Sequence, residues 1–168
     1  MSNRVLYTLG YEGADLGGFL ATLKSHRIKQ IIDVRELPLS RKRGFSKNAL
    51  SKALNDLDIG YLHLKSLGDP KPGRDAARSG DMATFRRIYD HHLAGDEAKA
   101  GLISVATAAN KLTSSLLCYE RSHIDCHRAI IAEQLKYDFD VRHIVVTSTV
   151  EKRRRIADDH TQRSVSLG

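Results

Sequence analysis

Two patterns of hydrophobic and polar positions alternate along this chain. Short apolar runs rich in β-branched residues are typical of buried strands, and apolar residues at helical spacing are typical of amphipathic helices. The apolar runs predict five strands, at residues 5–9, 30–34, 60–64, 115–119 and 141–146. The helical spacing predicts five helices: three capped by Asp15, Ser46 and Asp81, and two more at about residues 97–111 and 126–137.

The segment at residues 66–80 is rich in Gly, Pro and Asp and predicts an irregular excursion. The remaining order, β–α–β–α–β–α–α–β–α–β, is typical of a mostly parallel sheet covered by helices. We therefore expect a single-domain, three-layer α/β fold with about five strands and helices on both faces. We assign residues 1–147 to this domain and residues 148–168 to a polar, basic C-terminal tail.

Unusual polar side chains gather just after the predicted strands. In parallel α/β sheets, ligands bind beyond the carboxyl ends of the strands, so this concentration indicates a site on one rim. In strand order, the rim residues are Tyr11 and Glu12; Arg35, Ser40, Arg41, Arg43 and Lys47; His63 and Lys65; Glu120, Arg121, Cys126, His127 and Arg128; and Thr147 and Ser148.

The composition narrows the class of protein and of partner. A chain of 168 residues suits one domain with a full core. The net charge of +7 and the pI of about 9.5 favour acidic partners such as nucleic acid, nucleotides or phosphorylated small molecules, although a basic protein without such a partner fits equally well. There is no long apolar run and no signal-peptide pattern, so we expect a cytoplasmic protein with no membrane contact and with reduced cysteines.

The loop after the second strand predicts an anion site. Its cations surround two serines at a predicted helix start, where backbone N–H groups add donors. The predicted anion-binding residues are Arg35, Ser40, Arg41, Arg43, Lys47 and Arg128. The alternative is a solvated basic loop in which Arg35 pairs with Glu12 or Glu120. Phe45 could stack on a base, but we favour a hydrophobic staple before the cap at Ser46.

Cys126 stands at a predicted helix N-terminus, where a thiolate is stabilised. We expect His63 or Arg35, from neighbouring strands, to be its base or cation, since sequence adjacency alone does not turn His127 toward the sulfur. A structural cysteine is the alternative. Glu120, held among arginines, is expected to have a depressed pKa and to orient them. The predicted catalytic residues are Cys126, His63 and Glu120, with Tyr11, Glu12 and His127 as further rim residues.

Two further candidates for chemistry at the rim are Cys118 and a bound metal ion. Cys118 lies within the strand pattern and is expected to be a small buried hydrophobe. The rim offers Cys, His and Glu, but their spacing matches no zinc signature and nearby arginines would repel a cation. We therefore predict no cofactor, and a metal is a possible but disfavoured alternative. Phosphate-loop and dinucleotide-binding glycine motifs are also lacking.

An ordered set of motifs covers residues 7–135. The motifs are Tyr7-Thr8-Leu9-Gly10-Tyr11-Glu12-Gly13, Asp33-Val34-Arg35, Pro38, Ser40-Arg41, Gly44-Phe45-Ser46, Tyr61-Leu62-His63, Leu67-Gly68, Cys118-Tyr119-Glu120 and Cys126-His127-Arg128. Together they resemble the domain-of-unknown-function 488 family. The resemblance implies a compact, typically prokaryotic α/β domain without a settled activity, encountered near or fused to proteins that handle nucleic acids and nucleotides. Ser122-His123-Ile124-Asp125 stands where the family often has a proline, so no role is transferred to His123.

These observations leave three functions open. The first is a cytosolic α/β protein with an anion site at the strand ends that binds or acts on nucleic acid or nucleotide. The second is a thiol-dependent enzyme that uses Cys126 on a small anionic substrate, and the third is a binding module without catalysis. The sequence sets neither the reaction nor the oligomeric state.

Overall fold

A computed structural model describes residues 4–146 of the chain, so the predicted tail at residues 148–168 lies outside the described residues. Its five strands form one parallel sheet in the order β3–β2–β4–β1–β5. The strands are β1 (Arg4–Gly10), β2 (Gln30–Asp33), β3 (Gly60–His63), β4 (Ser114–Cys118) and β5 (Phe139–His143). The helices are α1 (Leu16–Ser25), α2 (Lys47–Asn55), α3 (Lys71–Arg78), α4 (Met82–Leu93), α5 (Asp96–Lys111) and α6 (His127–Leu135). The predicted α/β fold is confirmed.

The core lies on both faces of the sheet. Neighbouring residues of a strand point to opposite faces. Ile31 and Leu117 therefore pack with the residues of α1 and α2, such as Phe19 and Leu50. Ile32 and Leu116 pack on the other face with residues of α4, α5 and α6, including Tyr89, Val105 and Ile131. Burial on both faces explains why the inner strands are continuous apolar runs.

Residues 66–80 are not an irregular excursion, as the Gly and Pro content predicted. A 3-10 helix (Lys65–Leu67) is followed by α3, which begins after Pro70. Proline is compatible with the first helical turn, because the N–H groups there have no intrahelical partner. Ala76 and Ala77 pack α3 against the core, so this segment adds a sixth helix.

The fifth strand begins earlier than its apolar residues predicted. It runs Phe139–His143 instead of 141–146, because it pairs with β1 from Arg4 onward. β5 is an edge strand, and Asp140 and Arg142 alternate with apolar residues along it. Two helix caps are as predicted: Asp15 accepts from the N–H of Gly18 at 2.7 Å, and Asp81 caps α4.

The strand order places a topological switch point between β2 and β4. The chain leaves β2 toward β3 through α2, and it leaves β4 in the opposite direction toward β5 through α6. Such a point opens a crevice at the carboxyl ends of the two strands, where ligands bind in sheets of this type. Within residues 4–146, none of the helices has the length and apolar character that crossing a membrane requires.

Candidate functional site

A cavity of about 940 Å³ opens at the carboxyl ends of β2 and β4. Among its lining residues, Asp69, Cys118 and His127 are buried. The lining also carries five cations and four carboxyl groups: Arg35, Arg41, Lys42, Arg74 and Arg78, and Glu36, Asp69, Glu120 and Asp125. The volume lies in the range of small-molecule sites. The cavity therefore joins a buried set of titratable groups to a basic mouth.

Two thiols meet beneath this cavity. Cys118 is the last residue of β4, and Cys126 occupies the N-cap position of α6. The Sγ of Cys126 donates a hydrogen bond to the Sγ of Cys118 at 2.8 Å, and both residues are 2% exposed. The Sγ of Cys118 is also hydrogen-bonded to Oε2 of Glu120 at 2.7 Å. Cys118 lines the cavity and Cys126 does not appear among its lining residues.

His127 is the imidazole neighbour of both sulfurs. Its Nδ1 lies 3.7 Å from Cys118 Sγ and 3.9 Å from Cys126 Sγ. Its Nε2 donates to the carbonyl of Val34 at 2.8 Å, which fixes the ring with Nδ1 toward the thiols. The expectation that His63 or Arg35 would neighbour the sulfur is therefore wrong.

The contacts shift the pKa values of the two thiols in opposite directions. Burial raises the pKa of Cys118, but the hydrogen bond from Cys126 and the charge of His127 outweigh it, and the pKa lies well below its ordinary value. Burial and the hydrogen bond to Cys118 raise the pKa of Cys126. Burial lowers the pKa of His127, but the neighbouring Cys118 outweighs it and raises the pKa to about 9. These shifts favour a thiolate on Cys118, a thiol on Cys126 and an imidazolium on His127.

Glu120 differs from its prediction. Burial and the charge of Cys118 raise its pKa to about 7, whereas we expected a depressed value. The reason is that Arg128 does not pair with the carboxylate. Its guanidinium donates to the backbone carbonyls of Glu120 and Arg121. Arg128 thus holds the loop that follows β4, and its guanidinium is buried there.

Arg35 is likewise engaged inside the protein. Its Nε and Nη2 donate to the two carboxylate oxygens of Asp33 at 2.9 Å and 2.7 Å. Its Nη1 donates to the carbonyl of Phe45 at 2.8 Å and to the hydroxyl of Tyr11 at 3.2 Å. Its ion-pair partner is therefore Asp33, not Glu12 or Glu120. Asp33 was not among the predicted site residues.

His63 lies on β3, which β2 separates from β4 and its thiol. Its Nε2 donates to the carbonyl of Arg35 at 2.8 Å, and its Nδ1 lies 3.5 Å from Lys47 Nζ. The structure thus does not bring His63 to Cys126.

Glu12 lies on the loop after β1, where its carboxylate accepts from the N–H of Arg121.

The two serines of the predicted anion site support the loop after β2. The hydroxyl of Ser46 donates to the carbonyl of Ser40 and accepts from its N–H, both at 3.1 Å. Ser46 occupies the N-cap position of α2, but its side chain makes no capping bond. Ser40 and Arg41 line the cavity.

The other predicted rim residues occupy different places. Arg43 and Lys47 are exposed and are not among the residues that line the cavity. Phe45 is fully buried and its ring stacks on Tyr11 at a centroid distance of 4.5 Å. Both aromatic rings therefore belong to the core beneath the rim.

Asp69 was also missed, because it falls in the segment predicted to be irregular. It is buried, and its Oδ1 has no hydrogen-bond partner among the described residues. Burial raises its pKa to about 6. The guanidinium of Arg74 donates to the Asp69 carbonyl and pairs with Glu36.

The sequence did contain a signal for Asp33 and Cys118, because each is a polar or reactive residue at the end of a buried strand.

One group of side chains within residues 4–146 could hold a metal ion. The ligand atoms of Cys118, Cys126 and His127 all lie within 4.8 Å of one another. Two thiols and an imidazole suit a soft or borderline cation such as Zn²⁺. Binding it would require Cys126 and His127 to lose their protons, against the directions of their pKa shifts. The expectation that a metal is disfavoured stays a prediction.

The fold and the site define a parallel α/β protein with a buried pair of thiols and an imidazole at its switch point. The chain belongs to the family described as Domain of unknown function DUF488, whose model matches residues 15–135. It is also similar to a porphobilinogen deaminase of Chloroherpeton thalassium, with 26% identity over 130 residues. That match covers 75% of this chain and 41% of the deaminase. No solved structure matches the chain significantly.

Proposed function

We propose that this protein is a thiol-dependent enzyme that acts on a small anionic substrate, with Cys118 as the nucleophile. The observation that carries the proposal is the position of Cys118 Sγ. It borders the cavity, accepts a hydrogen bond from Cys126 and lies 3.7 Å from the His127 ring. A thiolate stabilised by a thiol donor and an imidazolium is the form of cysteine that attacks electrophiles.

The neighbours of Cys118 have separate roles in this proposal. His127 stabilises the thiolate, and the Val34 carbonyl orients its ring. Glu120 shares a hydrogen bond with Cys118 and has a pKa raised to about 7, chiefly by burial, so it can give or take a proton near neutral pH. Cys126, which was the predicted nucleophile, is the donor to the reacting sulfur.

The mouth of the cavity supports an anionic substrate. Glu36 is paired with Arg74, and within residues 4–146 neither Arg41 nor Lys42 has an ion-pair partner. Both cations border the cavity. Unpaired cations at the mouth of a cleft raise the local concentration of anions. We also propose a cytoplasmic location, because a reactive dithiol must stay reduced.

A second candidate function is the binding of nucleic acid or nucleotide at the same rim. The net charge of +7 and the exposed side chains of Arg41, Arg43 and Lys47 favour it. In that case the phosphates would bind at the mouth of the cavity, and the thiol cluster would face the bound molecule. The salt dependence of nucleic-acid binding separates the two candidates.

Alkylation by iodoacetamide as a function of pH, followed by peptide mapping, tests the proposed nucleophile. We expect Cys118 to be alkylated first, with an apparent pKa below the ordinary value of about 8.5. His127→Asn should slow its alkylation near neutral pH by about tenfold or more, since one pKa unit corresponds to a tenfold change in thiolate. His91→Asn, on the exposed side of α4, is the matched control and should leave the rate unchanged.

Two results would overturn the proposal. One is alkylation of Cys118 with an unperturbed pKa, or not at all, in the folded protein. The other is modification of Cys126 before Cys118. Circular dichroism of each variant shows that a changed rate does not come from unfolding.

A further inference from the structure

The chain has two cysteines, and the structure brings them together. Their sulfurs lie 2.8 Å apart as free thiols, although the residues are separated by the loop at 119–125. Only Cys118 lines the cavity. A small molecule would therefore reach Cys118 first, and Cys126 could react only with a group already attached to Cys118. This order is that of an attacking and a resolving thiol.

We propose that Cys118 and Cys126 are a reversible dithiol–disulfide pair that reduces small disulfides bearing carboxylates, with Cys118 attacking and Cys126 resolving. The inference rests on the proposed function, because it requires Cys118 to react as a thiolate. It adds the class of substrate and a role for the second thiol.

The reaction balances in two steps. The Cys118 thiolate attacks one sulfur of the substrate R–S–S–R, the substrate S–S bond breaks, and RS⁻ leaves. Cys126 then gives up its proton and attacks Cys118 Sγ, which releases the second RS⁻. The proton ends on one released thiolate, and Glu120, 2.7 Å from Cys118 Sγ, is placed to carry it. The protein loses two electrons, the substrate gains them, and excess RSH reverses the reaction.

The geometry allows the second step with little movement. Closing the sulfurs from 2.8 Å to a disulfide bond requires less than about 1 Å of motion. The Arg128 N–H donates the capping bond to Cys126 Sγ at 3.5 Å, and it holds this sulfur weakly because sulfur is a weak acceptor. Residues 119–125, which join β4 to α6, form neither helix nor strand.

The cavity favours a disulfide that carries carboxylates. Arg41 and Lys42 stand at the mouth without ion-pair partners in the described part of the chain, and they can pair with carboxylates while the S–S bond reaches Cys118. A cavity of about 940 Å³ holds a molecule of the size of oxidised glutathione. A neutral disulfide would lack this charge contact.

Intact mass spectrometry with oxidised glutathione as the probe tests the pair. We expect the reduced, full-length wild type to lose the mass of two hydrogen atoms and to keep no adduct. Cys126→Ser should instead accumulate one glutathione on Cys118, and Cys118→Ser should show neither product. Serine is a favoured N-cap residue, so Cys126→Ser keeps the start of α6.

The same assay tests the substrate class. Arg41→Ala/Lys42→Ala should slow the reaction with oxidised glutathione by about tenfold and slow the reaction with neutral 2-hydroxyethyl disulfide much less. Arg43→Ala/Lys47→Ala removes the same charge from residues that do not line the cavity, and it should change neither rate.

The outcomes separate this inference from the proposed function. A stable glutathione adduct on the wild type, together with fast alkylation of Cys118, would overturn the resolving role and leave Cys118 as nucleophile. Alkylation of Cys118 with an unperturbed pKa would overturn both. One equivalent of zinc in the purified protein, with both thiols protected from alkylation, would overturn the redox pair and assign the cluster to a metal.

Discussion

The carboxyl group of Asp69 is buried beside the thiol cluster, and its Oδ1 lacks a partner among the described residues. Burial raises its pKa from 3.8 to about 6, so folding favours the protonated form. The stability gained from this proton is complete below the ordinary pKa and is lost as the pH rises through about 6. Above that pH the fold holds a buried carboxylate whose Oδ1 lacks a hydrogen-bond partner among the described residues.

Asp69→Asn should therefore stabilise the protein at about pH 7.5, by roughly 1–3 kcal/mol, the usual cost of an unsatisfied buried polar group. The gain should shrink toward about pH 5, where the wild-type carboxyl group is protonated. Urea unfolding of both proteins at the two pH values measures the difference. Asp138→Asn, at an exposed position after α6, is the control and should show no such trend. A difference that does not change with pH would contradict the assignment.

The individual site residues were predictable only in part. A helix N-terminus after Cys126 was visible from the pattern of apolar residues, and Cys126 does cap α6. Burial of Cys118 was visible too, but the same pattern describes a residue packed among hydrocarbons and a residue bonded to a second sulfur. Its partners Glu120, Cys126 and His127 lie within nine residues of Cys118, but the conformation of the loop at 119–125 and the side-chain rotamers bring them to the sulfur, and local periodicity describes neither.

At the scale of elements, the end of β1 and the loop after β4 approach closely at Gly10. A Cβ atom there would lie 1.7 Å from the carbonyl oxygen of Glu120. Glycine at this position therefore lets the loop pass and places Glu120 against Cys118. A similar approach occurs between Gly68 and Glu36, which brings the 3-10 helix to the loop after β2.

Gly10→Ala should displace the loop after β4 and lengthen the contact between Glu120 and Cys118. We expect a loss of roughly 1–3 kcal/mol of stability, as for overpacked cores, and slower alkylation of Cys118. Gly60→Ala, in β3, is the matched control, since its Cβ would meet other atoms at 3.6 Å or beyond. Thermal unfolding and the iodoacetamide assay measure both effects. Equal behaviour of the two variants would show that the loop tolerates a side chain at Gly10.

The bounds of the helices and strands were predictable where buried large apolar residues mark the element. β1, β2 and β4 lie inside the sheet with buried apolar residues at their centres, and their bounds were predicted to within one residue, as were those of β3. β5 lies at an edge and carries alternating polar residues, and its start was missed. α3 was missed because its prolines and glycine are typical of loops. Its contacts with the core are made by alanines, so the spacing of large apolar residues does not indicate a helix.

At the scale of the whole molecule, strand order decides which residues meet. The succession of strands and helices predicts a parallel sheet but many orders are compatible with it. The observed order makes β2 and β4 neighbours and leaves β3 at an edge. That order joins Val34 to His127 and Cys118, and it separates His63 from both thiols. The cavity lies at the carboxyl ends of β2 and β4, and the side chains that meet there are Cys118, Cys126 and His127 instead of Cys126 and His63.

The net charge of +7 makes a testable prediction at this scale. One small anion in the cavity neutralises one or two cations, whereas a nucleic acid contacts several phosphates and releases many counterions. We expect labelled single-stranded DNA, duplex DNA and RNA to bind only at the non-specific level, with a Kd of roughly 10⁻⁴–10⁻⁶ M at physiological salt. Salt-titrated fluorescence anisotropy measures this affinity and its slope.

The variants decide between a diffuse charge effect and a nucleic-acid site. Under the proposed function, Arg41→Ala/Arg43→Ala should weaken this binding no more than Lys24→Ala/Lys99→Ala, which removes two charges from α1 and α5 away from the cavity. Both double variants lower the net charge equally, so their affinities for nucleic acid differ only if Arg41 or Arg43 contacts it. Tight, salt-dependent binding that is lost in the Arg41 and Arg43 variant alone would contradict the small-anion proposal. It would make nucleic acid the molecule that faces Cys118.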